Sequence, residues 1–213
     1  GASSFRKQTA EQLLKEVRFD AIRGNISEIK TLASLCGTQE KNSGNMAVSD
    51  TMDVEKITDK SDHCGKITGI DGSGRGVDAD NADTVTEENL AQHISNAKML
   101  SKKLQTIVAI TGAIDLVTDG SSCYVIRNGN PQMGHVTGAG CQLSGILTAF
   151  LAANPENKLQ AAAAAVCMMG YAGELAAEKS GQSGSGTYRV SLMDAVSCMD
   201  GDILERGARY EIR

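Results

Sequence analysis

A short polar turn leads directly into an apolar stretch that is suited to form a helix, and this turn carries two glycines and a thiol. Residues 136–141 read Val-Thr-Gly-Ala-Gly-Cys, and the predicted helix covers residues 142–153. The first turn of a helix leaves backbone N–H groups without intrahelical partners, and glycine lets the backbone approach a ligand closely. The sequence therefore predicts an anion-binding site with a reactive group beside it, and phosphate chemistry is the leading hypothesis.

Two further turns carry polar groups that suit the same chemistry. Residues 23–28 join a short apolar segment to a predicted helix, and residues 111–115 follow a continuous apolar run. We interpret all three turns as strand-to-helix turns, which converge beyond the carboxyl ends of the strands in open α/β sheets. Together they supply a guanidinium, an amide, a carboxylate, a hydroxyl and a backbone anion hole. These groups can bind a nucleotide phosphate together with a divalent cation.

Each of these signals also has a purely structural interpretation. Asn25 and Glu28 have the spacing of a capping box, with Asn at the N-cap and Glu at the third helical position. Arg23 could be an ordinary surface cation, and Thr111 could simply end a strand. Cys141 could be a small buried hydrophobic residue. Taken singly, none of these residues is specific for phosphate chemistry.

The apolar periodicity indicates a layered α/β fold in one domain. Residues 37–83 show no period and are rich in Gly, Ser, Asp, Asn and Lys, which predicts a flexible surface insertion or, as the less favoured alternative, a lid. The residues after 199 are predicted to form a polar tail. Helices are predicted at 9–18 with Thr9 as the N-cap, and at 26–33, 86–104, 142–153, 159–179 and 192–199; strands are predicted at 19–22, 106–111, 115–118 and 122–127.

The composition excludes several classes of function. A net charge of −5, from 21 Lys and Arg against 26 Asp and Glu without a basic block, does not support nucleic-acid binding. No apolar stretch reaches the length that crosses a bilayer, so no membrane partner is expected. The 6 cysteines form no CxxC pair and the 3 histidines are isolated, which favours reduced thiols in the cytoplasm over a structural zinc site. Any bound metal should have oxygen ligands.

Four sequence blocks occur in a fixed order along the chain. They are Ile-Arg-Gly-Asn-x-x-Glu at 22–28, Val-Ala-Ile-Thr-Gly-x-x-Asp-x-Val-Thr-Asp-Gly at 108–120, Asn-Gly-x-Pro-x-Met at 128–133 and Val-Thr-Gly-Ala-Gly-Cys-x-Leu-Ser at 136–144. In this order they closely resemble hydroxyethylthiazole kinases, the thiamine-salvage branch of the ribokinase-like superfamily. The resemblance extends to Gly1-Ala2-x-x-Phe5-Arg6, to Gly74–Asp78 and to the Ala-rich late helix.

The resemblance implies a ribokinase-like fold, a layered α/β/α domain over residues 1–213 with a mostly parallel central sheet. Family members carry an N-terminal portion that includes an Asp-Pro-Val-Gly-Ala-Gly turn, and Gly1-Ala2 resembles the last residues of that turn. We therefore expect the domain to be incomplete on its N-terminal side. The resemblance also implies a homotrimer, because members of the family assemble as trimers with substrate sites between subunits.

The resemblance assigns roles to individual residues. It makes Arg23 and Thr111 contacts to ATP, and Asn25 and Glu28 the pair that organises Mg²⁺ and its waters. It places Gly138 against the substrate, 4-methyl-5-(2-hydroxyethyl)thiazole. It also implies that the backbone of Gly138, Ala139, Gly140 and Cys141 forms the anion hole for the transferred γ-phosphoryl group.

Cys141 takes the position at which related sugar kinases keep an Asp base. A helix N-terminus favours the thiolate form of a cysteine, so Cys141 could accept the proton of a substrate hydroxyl. Phosphoryl transfer depends mainly on positioning and charge stabilisation, and we therefore expect Cys141 to be a modest catalytic base.

Two other functions remain as alternatives. The first is a truncated, non-catalytic or oligomer-dependent subunit of the same fold. The second is a Cys-dependent hydrolase in which Cys141 is a covalent nucleophile and His135 its base. This alternative is much weaker, because the turn at 137–140 is already explained as a phosphate cradle and no orienting carboxylate is evident.

Overall fold

The computed structural model of the chain describes residues 4–36 and 84–213. The predicted insertion at 37–83, the Gly74–Asp78 block and the opening Gly1-Ala2 lie outside the described residues. In chain order the helices are α1 (Ser4–Glu16), α2 (Ile26–Leu35), α3 (Leu90–Leu104), α4 (Ala139–Ala153), α5 (Lys158–Ser180), α6 (Ser185–Ser197) and α7 (Gly201–Gly207); the strands are β1 (Ala21–Gly24), β2 (Ile107–Ile110), β3 (Asp115–Thr118), β4 (Cys123–Ile126) and β5 (Tyr210–Ile212); a 3-10 helix covers Pro131–His135.

The five strands form a single sheet in the order β1-β2-β3-β4-β5. β1 and β2 are parallel, and the three other pairs are antiparallel. The prediction of a mostly parallel sheet is therefore wrong for the described part of the chain. The physical reason is the length of the connections: residues 111–114 and 119–122 are short links of the kind that join antiparallel strands, whereas a parallel pair needs a long crossover.

Alternating side chains of the sheet pack against two layers of helices. Ile107 and Ala109 of β2 belong to the core cluster that includes α4, α5 and α6. Val108 and Ile110 of the same strand belong to the cluster that includes α2 and α3. Such alternation is what the period of two of a strand produces when helices cover both faces. The layered α/β/α architecture is confirmed.

The Ala-rich helix α5 lies at the centre of the larger core. The expectation that no apolar stretch is long enough to cross a bilayer is wrong for α5, which passes by length and composition, but 67% of its most apolar 18-residue window is buried inside the protein. Small side chains let neighbouring elements approach: a Cβ added at Gly170 would lie 2.6 Å from the backbone oxygen of Asn128. α5 is therefore the main core helix.

Several elements differ from the sequence-based expectations at polar or exposed segments. α1 begins at Ser4, and Thr9 lies inside it, where its hydroxyl donates to the backbone oxygen of Phe5, so Thr9 is not the N-cap. β1 is shifted two residues toward the C-terminus of the predicted strand. α6 begins at Ser185 rather than near 192, and the predicted polar tail forms α7 and β5. Neither α7 nor β5 contains a fully buried residue, so the burial period that guides prediction is absent from both.

Candidate functional site

The side chain of Arg23 joins three segments that are distant in sequence. Arg23 lies on β1, where its Nη1 donates to Thr111 Oγ1 at 3.0 Å and its Nε donates to Ser144 Oγ at 3.1 Å. Ser144 lies on α4 and donates in turn to the backbone oxygen of Gly140 at 3.1 Å. The structure thus brings Arg23 and Thr111 together beside the first turn of α4, as the order of the predicted turns suggested.

The N-terminus of α4 carries the predicted anion hole. Gly138 is its N-cap, with φ of 95°, a left-handed conformation that favours glycine. A Cβ at Gly140 would lie 3.2 Å from Arg23 Nη2, so the guanidinium packs against the glycine backbone. Ala139 N–H donates to Val136 O at 3.2 Å, and in residues 4–36 and 84–213 no hydrogen bond takes up the N–H of Gly140 or Cys141. The guanidinium and two free backbone donors therefore lie at one helix end.

Two of the three polar turns differ in type from the prediction. Residues 111–115 connect β2 to β3, and residues 137–141 follow the 3-10 helix, so only residues 23–28 form a strand-to-helix turn. After the turn at 111–115, the strand Asp115–Thr118 pairs with β2 in antiparallel orientation. Before the turn at 137–141, the Asn130 side chain accepts from Gln132 N–H and caps the 3-10 helix, which has Pro131 in its first turn. The turns converge because β1 and β2 are parallel neighbours, not because each precedes a helix.

Asn25 and Glu28 form a capping box at the start of α2. Asn25 Oδ1 accepts from Glu28 N–H at 2.8 Å, and Glu28 Oε2 accepts from Asn25 N–H at 2.7 Å, which confirms the structural interpretation of the pair. Gly24 makes room for this carboxylate, because a Cβ there would lie 3.0 Å from Glu28 Oε2. Oε1 of Glu28 makes no hydrogen bond within the described residues.

The oxygen atoms at this turn are too few to coordinate a metal ion by themselves, but they suit Mg²⁺, which keeps part of its shell as water and phosphate. Within the described ranges no group of three or more His, Cys, Asp or Glu side chains could hold a metal ion. Mg²⁺ typically takes one or two carboxylates and completes its shell with waters and substrate phosphates. The remaining oxygen of Glu28 fits that requirement, since Glu28 lies in the first turn of α2 and its carboxylate packs against Gly24, the residue after Arg23.

The thiol of Cys141 is exposed on the first turn of α4, so the alternative of a small buried hydrophobic residue is wrong. His135, at the end of the 3-10 helix, is also exposed. In the part of the chain that the structure describes, no hydrogen bond joins His135 to Cys141. The geometry does not assemble the base and nucleophile that a Cys-dependent hydrolase requires.

Two polar residues at the site had no predicted role of their own. Ser144 fixes Arg23, and the available signal was its position four residues after Gly140 on an otherwise apolar helix. Asp115 is buried at the start of β3 and accepts from Gly112 N–H at 2.8 Å. Burial raises the pKa of Asp115 to about 7, while the Gly112 hydrogen bond and the charge of Arg23 act to lower it.

An open cleft of about 500 Å³ runs between β1 and α4. Arg23 and Ser144 line it, and its wall continues along the apolar side chains Leu147 and Leu151 of α4. Lys158 and Asp20, which form an ion pair with an Nζ–Oδ1 distance of 2.6 Å, also line it. A ligand that reached Arg23 from this side would meet an apolar wall with polar groups at its ends.

Comparisons with known proteins all match this chain to one family. The profile of the hydroxyethylthiazole kinase family matches residues 1–60 and 52–202. A hydroxyethylthiazole kinase of Clostridium acetobutylicum is 42% identical over 212 residues, which cover 99% of this chain and 65% of that protein. One of Desulfovibrio desulfuricans is 34% identical over 221 residues, covering 100% of this chain and 65% of that protein. The chain thus spans less than two thirds of the length of these relatives.

The fold has a counterpart among solved structures. A hydroxyethylthiazole kinase protein from Pyrococcus horikoshii OT3 superposes with a TM-score of 0.70 at 22% sequence identity. The match covers 100% of this chain and 62% of that one. At this identity the likeness shows the fold, which agrees with the three layers described above.

Proposed function

The chain belongs to the hydroxyethylthiazole kinase family, and on that basis we propose that it transfers the γ-phosphoryl group of ATP to the hydroxyl of 4-methyl-5-(2-hydroxyethyl)thiazole, a step of thiamine biosynthesis and salvage. The observation that carries the proposal is the contact of Arg23 with Thr111 beside the N-terminus of α4. A fixed guanidinium and free backbone N–H groups are suited to bind phosphate oxygens and to stabilise charge on them.

The residues around Arg23 contact different groups of the nucleotide and the substrate. Arg23 and Thr111 contact the phosphates of ATP, with Ser144 holding the guanidinium on its other side. The N–H groups of Gly140 and Cys141 receive the negative charge of the transferred group, and Gly138 lies against the thiazole substrate. Ala139 contributes less to the anion hole than its neighbours, because its N–H already donates to Val136 O.

Asn25 and Glu28 would hold Mg²⁺ and its waters near these phosphates, with Glu28 Oε1 as the available protein oxygen. When bound, Mg²⁺ neutralises part of the charge on the phosphate oxygens. The capping box serves this role by fixing the carboxylate: Oε2 accepts from the backbone N–H of Asn25, which leaves Oε1 as the oxygen without a hydrogen bond in the described residues. The structural and the metal-binding roles of the pair are therefore compatible.

Cys141 acts as a modest base. The substrate hydroxyl oxygen forms the new bond to the γ-phosphorus, the bond from that phosphorus to the β,γ-bridging oxygen breaks, and ADP leaves. The hydroxyl proton passes to Cys141 Sγ, which is exposed and adjacent to the anion hole. Because little covalent chemistry is left to the protein in such a reaction, the base adds less than the phosphate-binding groups.

We also propose a cytoplasmic homotrimer as the working form. In that assembly the active site would lie between subunits. Native mass measurement checks this point, with a trimer expected and a stable monomer as the contradicting result.

A phosphorylation assay tests the function. The protein is incubated with Mg²⁺ and γ-labelled ATP, and the thiazole alcohol is compared with pyridoxal and hydroxymethylpyrimidine. We expect transfer to the thiazole alcohol, and a several-fold lower turnover for Cys141→Ala with an altered pH profile. Transfer to the two other alcohols alone would reject the thiazole assignment while keeping the kinase, and full turnover of Cys141→Ala at every pH would remove the base role.

A further inference from the structure

A buried carboxyl group supports the turn that presents Thr111 to Arg23. Asp115 is only 8% exposed, and its Oδ1 accepts from Gly112 N–H at 2.8 Å. Gly112 directly follows Thr111, whose Oγ1 accepts from Arg23 and whose N–H donates to Gly24 O at 2.9 Å. The carboxyl therefore fixes one end of the turn, and the parallel neighbour β1 fixes the other.

Charged or titratable groups on two other elements interact electrostatically with Asp115. The positive charge of Arg23 on β1 acts to lower the pKa of Asp115, and the charge of Asp115 acts to raise the pKa of Cys167 on α5. Burial is the main reason why the pKa of Cys167 is raised, so this thiol is uncharged near neutral pH. Among the described residues, the guanidinium is thus the charge that an ionised Asp115 meets.

Asp115 can change its charge in the ordinary pH range. Burial raises its pKa to about 7, against the opposing effects of the Gly112 hydrogen bond and of Arg23. In both protonation states a carboxyl oxygen can accept from Gly112, but only the ionised state attracts Arg23 and repels a nearby phosphate. A bound phosphate and an ionised Asp115 therefore compete for the same guanidinium.

We propose that Asp115 is a positioning residue that couples nucleotide affinity to pH: its carboxyl shapes the Thr111 turn, and its ionisation weakens the hold of Arg23 on a phosphate. This inference rests on the proposed function, because it takes Arg23 as a nucleotide ligand. Linkage requires the reciprocal effect, so that a phosphate bound at Arg23 favours the protonated form of Asp115.

The test compares the affinity for the Mg²⁺ complex of β,γ-imido-ATP at about pH 6 and about pH 8. The nucleotide itself titrates in this range, so the informative quantity is the ratio of the dissociation constant of the wild type to that of Asp115→Asn. We expect a ratio near one at the lower pH and at least about fivefold at the higher pH, because only there does an ionised carboxylate oppose the binding of phosphate at Arg23. A ratio that does not change with pH overturns the proposal.

Two further variants separate charge from positioning. Asp119→Asn makes the same substitution at the exposed turn between β3 and β4, where the side chain accepts from Ser121 and Ser122, and it should follow the wild type at both pH values. Asp115→Ala removes the acceptor for Gly112 and should bind the analogue several-fold more weakly than Asp115→Asn at both pH values. Equal affinities of the Ala and Asn variants would contradict the positioning role.

A measurement on the wild type keeps the proposal testable if the variants do not fold. The pKa of the Asp115 carboxyl, followed by carbon NMR, should rise when the analogue saturates the protein, and an unchanged pKa overturns the coupling. A wild type that binds no analogue rejects the proposed function together with this inference, whereas binding with a pH-independent ratio rejects only the role of Asp115.

Discussion

At the scale of single residues, the site depends on how closely Arg23 can approach the first turn of α4. The guanidinium is held by Thr111 on one side and by Ser144 on the other, and it lies against the bare backbone of Gly140. Because Thr111 directly follows the buried strand β2 and Ser144 lies on α4, the orientation of Arg23 is set before a ligand arrives. Such preorganisation reduces the cost of ordering a long side chain on binding.

Gly140→Ala tests this close approach. The added Cβ would lie 3.2 Å from Arg23 Nη2, which forces the guanidinium to shift. We expect ATP affinity to fall about fivefold, corresponding to about 1 kcal/mol, in isothermal titration calorimetry. Gly145→Ala on the same helix is the matched control, because a Cβ there meets nothing within 4 Å. It should leave affinity unchanged, and equal affinities of wild type and Gly140→Ala would contradict the packing argument.

The raised pKa of Asp115 should make the unfolding free energy depend on pH. Its pKa is about 7 in the folded protein, because burial raises it, and near 4 in an unfolded chain. Between these values only the folded state binds the proton, so the contribution of Asp115 to stability is present below about pH 4 and is lost as pH rises toward 7.

Urea unfolding of wild type and Asp115→Asn over a pH series measures this effect. The difference in unfolding free energy should shift in favour of the Asn variant by up to about 4 kcal/mol between about pH 4 and about pH 7, and stay level above that. Two stability curves that run parallel across this range would show that the carboxyl titrates normally.

At the scale of elements, the turn after β1 combines a helix cap with the proposed magnesium ligands. Serine is a good N-cap but lacks the amide group, so Asn25→Ser should keep the stability of the wild type within a few tenths of a kcal/mol, whereas Asn25→Ala should lose about 1 kcal/mol. If Asn25 organises Mg²⁺ and its waters, the Ser variant should need several-fold more Mg²⁺ for half-maximal turnover. An unchanged Mg²⁺ requirement would leave Asn25 with the capping role alone.

A second polar cluster fastens the C-terminal strand to the core. Glu174 of α5 accepts from Gly129 N–H at 2.7 Å and from both terminal nitrogens of Arg209, next to β5. It also accepts from the buried side chain of Asn128 at 3.1 Å. The carboxylate thereby connects α5, the end of β4 and the start of β5.

Glu174→Ala removes the acceptor of Gly129 N–H and of Arg209 Nη1. The Asn128 amide and Arg209 Nη2 keep their bonds to the backbone oxygens of Gly207 and Arg127. We expect the substitution to cost about 2–3 kcal/mol of unfolding free energy, measured by chemical denaturation. Lys179→Ala is the control on the same helix, since it breaks only an exposed ion pair with Asp194 and should cost less than about 1 kcal/mol. Similar losses for the two variants would show that the cluster is not a structural anchor.

The elements that could be predicted from sequence are those with a buried apolar face. β2 is buried at every residue and α5 at most of its length, and their patterns give both elements directly. β5 could not be found in this way, because it is a three-residue strand whose pairing with β4 depends on contacts such as Glu174 with Arg209. The local sequence pattern does not indicate which distant residues a strand will pair with.

The turn residues of the site could be predicted from sequence, but the residues that orient them could not. The order of the polar turns indicated that Arg23 and Thr111 lie together, which the structure confirms. The support from Ser144 and Asp115 could not be derived, because it depends on the packing of α4 and on the antiparallel return of β3. Turn residues signal their own conformation, whereas the groups that orient them come from elsewhere in the fold.

At the scale of the whole molecule, the three layers place the anion site at one end of β1 and β2, where the only parallel pair of the described sheet ends beside α4. The chain spans about 65% of the length of its relatives from Clostridium acetobutylicum and Desulfovibrio desulfuricans. The part that it contains holds a guanidinium, a helix N-terminus and a capped carboxylate in one region. We propose that this region binds the phosphates of ATP.

Nucleotide affinity of the wild type and of Arg23→Gln tests that claim most directly. Isothermal titration calorimetry with ATP and Mg²⁺ should show binding to the wild type and at least a tenfold weaker affinity for Arg23→Gln, because a charge-assisted contact to phosphate is removed. Arg189→Gln, on the exposed surface of α6, should bind ATP as the wild type does. If Arg23→Gln binds ATP as tightly as the wild type, Arg23 and the N-terminus of α4 do not form the phosphate site.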